Sequence, residues 1–399
     1  MRLLNTSTLE LRTFGQDRPP YAILSHTWTR HEPPFEAFAP RKHFSAYISR
    51  MRKKRKYAKI FWSCKLARDS GLDWIWIDTC CIDKSSSAEL TEAINSMYAW
   101  YEAAEVCFAY MRDVSDKDDP VDEDSSFARS IWFTRGWTLQ ELIAPRTVEF
   151  YSTNWVRIGS KWEYAATIEK ITGIHRSVLK EPYFSGLKRQ RQYSVAQRMS
   201  WAANRRTTRP EDLAYSLIGL FNIHMPLLYG EGETNAFLRL QSEIAKLAND
   251  QSLFAWGRWP LSANDISEDA LIVGGSLYAQ HPSRFSFSGD IIPLRRNDGG
   301  LAWSSEFSLP NDGYLRIRLR VAENTARPDM RESHIAFLEC ELLHDPDRVV
   351  GFFLHEYDRV EGMPVGVHVY KREFATLAKF PRKMAIDAPL RDVFLSSVY

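Results

Sequence analysis

Polar residues capable of chemistry follow two apolar runs in the first hundred residues. Residues 21–25 (YAILS) and 74–78 (WIWID) are typical of buried strands, because large apolar side chains follow one another almost without interruption. The residues at and after their ends are Ser25, His26, Thr27 and Trp28, and Asp78, Asp83 and Lys84. In an open parallel sheet, ligands bind outside the carboxyl ends of the strands. The sequence therefore predicts one wall of a binding site here.

Each of these residues also has a purely structural interpretation, which the residues alone leave open. The two aspartates are suited to capping turns with their side chains. Lys84 fits a surface ion pair, and His26 fits a hydrogen-bonded structural histidine. The paired Cys80 and Cys81 are interpreted as small buried residues without a chemical role.

Glu141 lies in the segment 135–142 (RGWTLQEL) and also has two interpretations. Thr138 and Glu141 have the spacing of a capping box, in which both side chains bond the first turn of a helix. Pro145 follows only four residues later, so such a helix is very short and a cap adds little to it. The alternative is a carboxylate at the edge of a cleft walled by aromatic side chains. These are Trp132, Phe133 and Trp137.

Strand and helix patterns alternate along the chain to about residue 160. Apolar runs at 106–111 and 147–152 continue the strands, and Arg112 comes just past the end of the third strand. Helix patterns fill the intervals, one ending at Gly71 and one opening with the capping-box sequence 86–89. This alternation predicts a mostly parallel sheet covered by helices on both faces.

The sequence pattern changes twice in the rest of the chain. Residues 161–256 carry helix patterns, including 210–221 and a stretch from Thr234 to about Ala248. Residues 257–399 carry short apolar runs separated by Gly, Pro, Asn and Asp. The sequence therefore predicts an α/β domain at 1–160, a helical extension at 161–256 and a β-rich C-terminal domain at 257–399.

Composition excludes several classes of protein. Hydrophobic content of 44%, charged content of 26% and a formal net charge of +2 are ordinary for a globular protein, and we expect no binding to nucleic acid or membrane. The N-terminus lacks the features of a signal peptide. The five cysteines form no Cys-x-x-Cys pair, so neither a disulfide framework nor a structural zinc site is expected. We predict a reduced, soluble, cytoplasmic protein without a bound metal.

Long segments of the chain resemble one family. The strings YAILSHTW, GLDWIWIDTCCIDKSSSAELTEAINSMYAWYEAAEVCFAYM and WFTRGWTLQELIAPRTVEFY are similar to the heterokaryon-incompatibility (HET) domain of filamentous fungi. The likeness continues through a helical extension to about residue 256. One departure is that Thr29 and Arg30 stand where the family usually has a glycine followed by an acid, although Glu32 is retained.

The resemblance implies a trigger of programmed cell death in non-self recognition, an immunity-like function. HET domains look like distant relatives of TIR domains, many of which cleave NAD⁺, so it also implies a TIR-like sheet. TIR enzymes carry a glutamate in a tryptophan-containing motif that GWTLQEL resembles, and by this analogy Glu141 is the catalytic carboxylate. NAD⁺ or a related nucleotide is then a substrate, and no cofactor is expected. Self-association and an upstream activator, whose identity is unknown, are expected to switch the enzyme on.

The residues fit this chemistry on physical grounds. Nicotinamide leaves NAD⁺ as a neutral molecule, so one carboxylate that stabilises an oxocarbenium-like ribose is enough. Flat side chains suited to stacking on the bases are Trp28, Tyr98 and Trp137. Cations suited to the pyrophosphate are Lys84, Arg112 and Arg135. The absence of a Gly-x-Gly-x-x-Gly fingerprint argues against a dehydrogenase.

Two other functions remain open. A scaffold without catalysis would transmit the death signal by protein contacts, with Glu141 as a helix cap. A hydrolase of another nucleotide or a nucleic acid would use Asp78 and Asp83 to bind a hard cation such as Mg²⁺.

Overall fold

A computed structural model of the chain describes most of its residues. The described residues are 1–15, 17–38, 51, 54–180, 192–259, 277–294, 307–308, 314–324, 333–357, 369–372 and 377–396. The chain divides into two compact units, residues 1–190 with 205–228, and residues 191–204 with 229–399. The three-part division made from the sequence stays a prediction. The strand predictions that fall on residues 271–276 and 365–368 lie outside the described residues.

The first unit is built on a seven-stranded sheet of order β2-β1-β4-β3-β5-β6-β7. Its strands are β1 Arg2–Asn5, β2 Leu11–Thr13, β3 Ala22–His26, β4 Trp74–Trp76, β5 Val106–Tyr110, β6 Val148–Tyr151 and β7 Arg157–Ser160. The four strands predicted from apolar runs are β3 to β6, and they pair in parallel. The antiparallel strands β1, β2 and β7 at the edges were not predicted. The expectation of a mostly parallel sheet is therefore confirmed at its centre.

Helices connect these strands and continue beyond them. In chain order they are α1 Ala58–Asp69, α2 Asp78–Cys81, α3 Ser87–Glu102, α4 Thr138–Ile143, α5 Ala165–Thr172, α6 Arg176–Lys180, α7 Val195–Ser200, α8 Asp212–Tyr215, α9 Glu233–Leu247 and α10 Arg382–Asp387. Short 3₁₀ helices occur at Phe35–Phe38, Arg55–Tyr57, Ile131–Thr134, Gly219–Phe221, Gln251–Phe254 and Pro282–Phe285. Gly71 follows α1 with a φ of +76°, the left-handed conformation predicted for it. Ser86 accepts a hydrogen bond from the Glu89 amide and so caps α3.

Strand order defines where a ligand is expected in the first unit. In the sheet, β3 lies between β4 and β5, and β6 lies beyond β5. The chain runs from β3 to β4 in one direction across the sheet and from β5 to β6 in the other. The connections that leave β3 and β5 therefore run in opposite directions. Doubly wound sheets bind ligands at such a switch point, outside the carboxyl ends of the two strands. His26 and Tyr110 are paired at these ends.

The second unit contains a sheet in which all pairings but one are antiparallel. Its strands are β8 Ile291–Pro293, β9 Phe307–Ser308, β10 Tyr314–Glu323, β11 Ser333–Leu342, β12 Asp345–Tyr357, β13 Val369–Arg372, β14 Ala378–Pro381 and β15 Leu390–Ser396. Strands β10, β11, β12, β13 and β15 each pair with two others in this set, so their pairings close into a ring. Ring closure leaves these five strands without a free edge. The predicted β-rich C-terminal region is confirmed.

Two further observations concern the cysteines and the helices of the described chain. All five cysteines are buried and free. Among the described residues, no helix combines the length and the apolar character needed to cross a membrane.

Candidate functional site

Glu141 lies in α4, and its carboxyl group points into the sheet rather than back along its own helix. Its Oε2 accepts a hydrogen bond from the Ser25 hydroxyl, at the carboxyl end of β3. The Ser25 hydroxyl in turn accepts a bond of 2.9 Å from Nε1 of Trp132. Only 7% of Glu141 is exposed to solvent. The structure therefore links a buried carboxyl group, a hydroxyl and an indole at the predicted ligand edge.

The capping-box interpretation of Glu141 is wrong. Trp137 occupies the N-cap of α4 and makes no side-chain cap bond. The Thr138 hydroxyl donates instead to the carbonyl oxygens of Trp132 and Arg135, which closes the turn before the helix. The Glu141 carboxyl group bonds the Ser25 hydroxyl instead. Of the predicted aromatic wall, Trp132 contributes to the site directly through its contact with Ser25.

Burial controls the charge of Glu141. Removal from water raises the pKa of its carboxyl group from 4.5 to about 8, and the nearby charge of Asp78 acts in the same direction. The hydrogen bond from Ser25 and the positive charge of Arg205 oppose this rise without cancelling it. Glu141 is therefore mostly protonated at neutral pH in the free protein.

Two residues that contact this group were missed in the sequence. Tyr101 of α3 donates from its hydroxyl to the Leu24 carbonyl at 3.1 Å and also faces the Glu141 carboxyl. Arg205 is buried, and its Nη1 donates to the Arg135 carbonyl at 2.9 Å and to the Thr138 hydroxyl at 3.0 Å. Burial lowers the pKa of Arg205 to about 9, while the Glu141 charge raises it. Tyr101 has the spacing of a buried helical residue, and Arg205 lies in a charged loop. No local sequence pattern therefore marks either residue as part of a site.

A second group, next to the first, joins the ends of β3 and β4. Nε1 of Trp28 donates to Oδ2 of Asp78 at 2.7 Å, and Nζ of Lys84 lies 3.4 Å from the centre of the Trp28 ring. Half of Trp28 is exposed to solvent. Nε2 of His26 lies 3.9 Å from Oδ1 of Asp78. The structure thus brings together four of the residues predicted to bind substrate, and Ser25 connects them to Glu141.

His26 is a neutral side chain in this group. Burial, together with the positive charge of Lys59, lowers its pKa to about 3. Within the described part of the chain, neither ring nitrogen of His26 has a hydrogen-bond partner, and Oδ1 of Asp78 has none either. Buried polar atoms are paired in most folded proteins. These atoms are therefore suited to hydrogen bonds with a polar ligand or water.

An ion pair fixes the loop that follows β3. Nζ of Lys59, on α1, donates to the Thr27 carbonyl at 3.0 Å and to Oε1 of Glu32. The same Glu32 oxygen accepts bonds of 2.8 Å from the amide and hydroxyl of Thr29. Although Thr29 and Arg30 depart from the family pattern, Glu32 therefore anchors the loop.

The other predicted binding residues have different partners. The Asp83 carboxyl accepts bonds from the amide and hydroxyl of Ser85, so it caps a turn. Arg135 donates to Thr208 at 2.9 Å, and Nε1 of Trp137 donates to Asp212 at 3.2 Å. Arg112 is exposed just past β5, and Tyr98 is buried in the inner face of α3. The predicted binding roles of these five residues stay predictions.

Tyr98 packs against a glycine that has no room for a side chain. A Cβ atom on Gly219 would lie 2.2 Å from Cβ and 2.7 Å from Cγ of Tyr98. We expect Gly219→Ala to lower the free energy of unfolding by about 3 kcal/mol, because overpacking displaces a buried aromatic residue. Denaturant unfolding measures this change. Gly15→Ala is the control, since nothing lies within 4 Å of its Cβ position. Equal stability of the two variants would contradict the expected clash.

The sequence was also compared with known proteins. Residues 21–125 match the family model described as heterokaryon incompatibility protein (HET), and residues 235–314 match a domain of unknown function, DUF8212. Vegetative incompatibility protein HET-E-1 of Podospora anserina is 46% identical over 232 residues, which cover 57% of this chain and 16% of that protein. No solved structure matches the chain significantly. The first match covers β3 to β5, and the second begins within α9 and ends at the first residue of β10.

Proposed function

We propose that this chain, whose residues 21–125 match the HET family model, acts in heterokaryon incompatibility and that its α/β unit hydrolyses NAD⁺. Glu141 is the proposed catalytic carboxylate. The observation that carries this proposal is the position of Glu141, buried and bonded to Ser25 beside the switch point of the sheet. The order of the four parallel strands also agrees with the proposed TIR-like fold.

The proposed reaction breaks the bond between nicotinamide and C1′ of its ribose. The bonding electrons leave with the nicotinamide nitrogen, whose ring becomes neutral. The ribose then carries an oxocarbenium-like positive charge, which an adjacent carboxylate stabilises. Water adds to C1′ and releases one proton. Ser25 orients Glu141 through their hydrogen bond, and the His26 and Asp78 atoms described above supply bonds to hydroxyl groups.

Protonation of Glu141 makes this mechanism dependent on pH. Because burial raises its pKa to about 8, the carboxylate form becomes more abundant as the pH rises towards that value. The cationic nicotinamide ring favours the carboxylate once it is bound nearby. We therefore expect kcat/KM to rise between about pH 6 and 8 and then to level off, as this parameter reports the free enzyme.

Nicotinamide release tests the function. Purified protein, dilute and concentrated, is incubated with NAD⁺ and the products are separated by chromatography. We expect Glu141→Gln to reduce release by at least about a hundredfold, because an amide cannot stabilise the oxocarbenium charge. Glu105→Gln is the matched control, since Glu105 is exposed next to the amino end of β5. A steep increase of specific activity with concentration would support activation by self-association.

A scaffold without catalysis is the second candidate. It is favoured by the low exposure of Glu141 and by its protonation at neutral pH, both of which suit a structural carboxyl group. The two candidates differ in cells that express the protein. NAD⁺ loss that accompanies toxicity, with both abolished by Glu141→Gln, supports the enzyme. Full toxicity of Glu141→Gln with normal NAD⁺ supports the scaffold.

A further inference from the structure

Three aromatic rings form a column at the carboxyl ends of β5 and β6. Trp155 stacks on Tyr110 with ring centres 4.2 Å apart and planes 12° from parallel. The ring of Trp62, on α1, is also nearly parallel to that of Trp155, with centres 6.5 Å apart and planes 15° from parallel. Trp62 is 44% exposed. The column thus presents a flat indole to solvent.

The backbone at Trp155 is held in an unfavourable conformation. Its φ is +61°, in the left-handed region that bulky residues seldom adopt. Strain of this kind persists where the surrounding structure enforces it, and it is concentrated at ligand-binding sites. Here the turn bond from the Trp155 amide to the Ser152 carbonyl and the stack on Tyr110 hold the indole in place.

Helix α1 connects the column with the loop after β3. Lys59 and Trp62 are three residues apart and therefore lie on the same face of α1. Lys59 bonds the Thr27 carbonyl, and its Nζ lies 6.0 Å from the centre of the Tyr110 ring. Tyr110 is paired with His26 across the two central strands. The column is therefore next to the end of β3, on the side away from β4.

Positive charge accompanies the rings. The charges of Arg55 and Arg112 act on the Tyr110 hydroxyl, and both arginines are exposed. A flat aromatic face beside exposed guanidinium groups matches a nucleotide, in which a planar base is joined to phosphate. An apolar protein partner would not require these cations.

We propose that the column of Trp62, Trp155 and Tyr110 binds the adenine base of the dinucleotide, with Arg55 and Arg112 facing its phosphates. This inference rests on the proposed function, because it assigns the second base of the same substrate. The proposal also assigns to the exposed Arg112 the phosphate contact that the sequence predicted. Arg112 would make this contact at the end of β5, on one side of the switch point.

Calorimetric titration of the full chain with AMP tests the column separately from catalysis. We expect Trp62→Ala to weaken AMP binding by about tenfold or more, since removal of a stacking ring costs this much in nucleotide sites. Binding of ribose 5-phosphate, which has no base, should not change. Trp162→Ala is the matched control, because Trp162 is 62% exposed and lies under Lys180, outside the column.

Each outcome decides the proposal. Wild-type protein that does not bind millimolar AMP, or a Trp62→Ala variant that binds AMP normally, overturns it. Trp62-dependent AMP binding without any NAD⁺ cleavage retains the column and removes the proposed reaction. Glu141-dependent cleavage of NAD⁺ with an unchanged KM in Trp62→Ala retains the reaction and removes the column.

Discussion

Glu141→Gln is expected to be more stable than the natural protein above neutral pH and equally stable near pH 4. The pKa of Glu141 is about 8 when folded and 4.5 in the reference state. Between these values the folded protein holds a proton that the unfolded chain has lost. The natural protein therefore loses about 1.4 kcal/mol of stability per pH unit from this residue as the pH rises. Glutamine carries no charge and avoids this loss.

Thermal unfolding at pH 4, 6 and 8 measures the effect as a difference between the variant and the natural protein. The difference should be near zero at pH 4, grow through pH 6 and level off above about pH 8. Glu105→Gln should show no such growth, because Glu105 is exposed. A constant difference across this range would mean that Glu141 is ionised with an ordinary pKa. The proposed origin of the pH-dependent activity would then be lost as well.

A stability gain from removing a candidate catalytic residue has a physical reason. A buried carboxyl group costs free energy when it ionises, because burial removes it from water. Natural proteins keep such groups where function requires them. The stability measurement therefore tests the pKa of Glu141 under either candidate function.

The central strands were predictable because each is a short, uninterrupted apolar run. The rule for parallel sheets then indicated which residues meet, and Ser25, His26, Trp28 and Asp78 do lie together. Strands β1 and β2 were missed because their short alternating pattern resembles that of a surface segment. The pairing of β1 with β4 depends on contacts across about 70 residues, which no local pattern encodes.

The direction of individual side chains was less predictable than their position in the chain. Trp137 and Glu141 are four residues apart, yet Trp137 bonds Asp212 whereas Glu141 bonds Ser25. Capping-box spacing indicated the wrong partner for Glu141, because Thr138 is engaged by the preceding turn. Arg205 approaches Glu141 through a segment 64 residues later in the chain. Only the tertiary structure brings these groups together.

Arg205→Met is expected to destabilise the protein and to make Glu141 harder to ionise. Methionine keeps much of the buried volume but cannot donate to the Arg135 carbonyl or the Thr138 hydroxyl. We expect the free energy of unfolding to fall by about 2–4 kcal/mol, since buried acceptors lose a charged donor. The positive charge of Arg205 lowers the pKa of Glu141, so its loss should move the pH profile of kcat/KM to higher pH.

A double-mutant cycle with Glu141→Gln separates the electrostatic part of this effect from the packing part. At pH 6 Glu141 is protonated, so the two substitutions should add within about 0.5 kcal/mol. At pH 8 about half of Glu141 is ionised in the natural protein while Arg205 is still mostly protonated, so the coupling energy should become favourable because Arg205 then faces a carboxylate. Glu105→Gln with Arg205→Met is the control pair and should be additive at both values. Coupling that does not change between pH 6 and pH 8 would show that Arg205 acts on the turn at Thr138 alone, and that the charge of Glu141 is set without it.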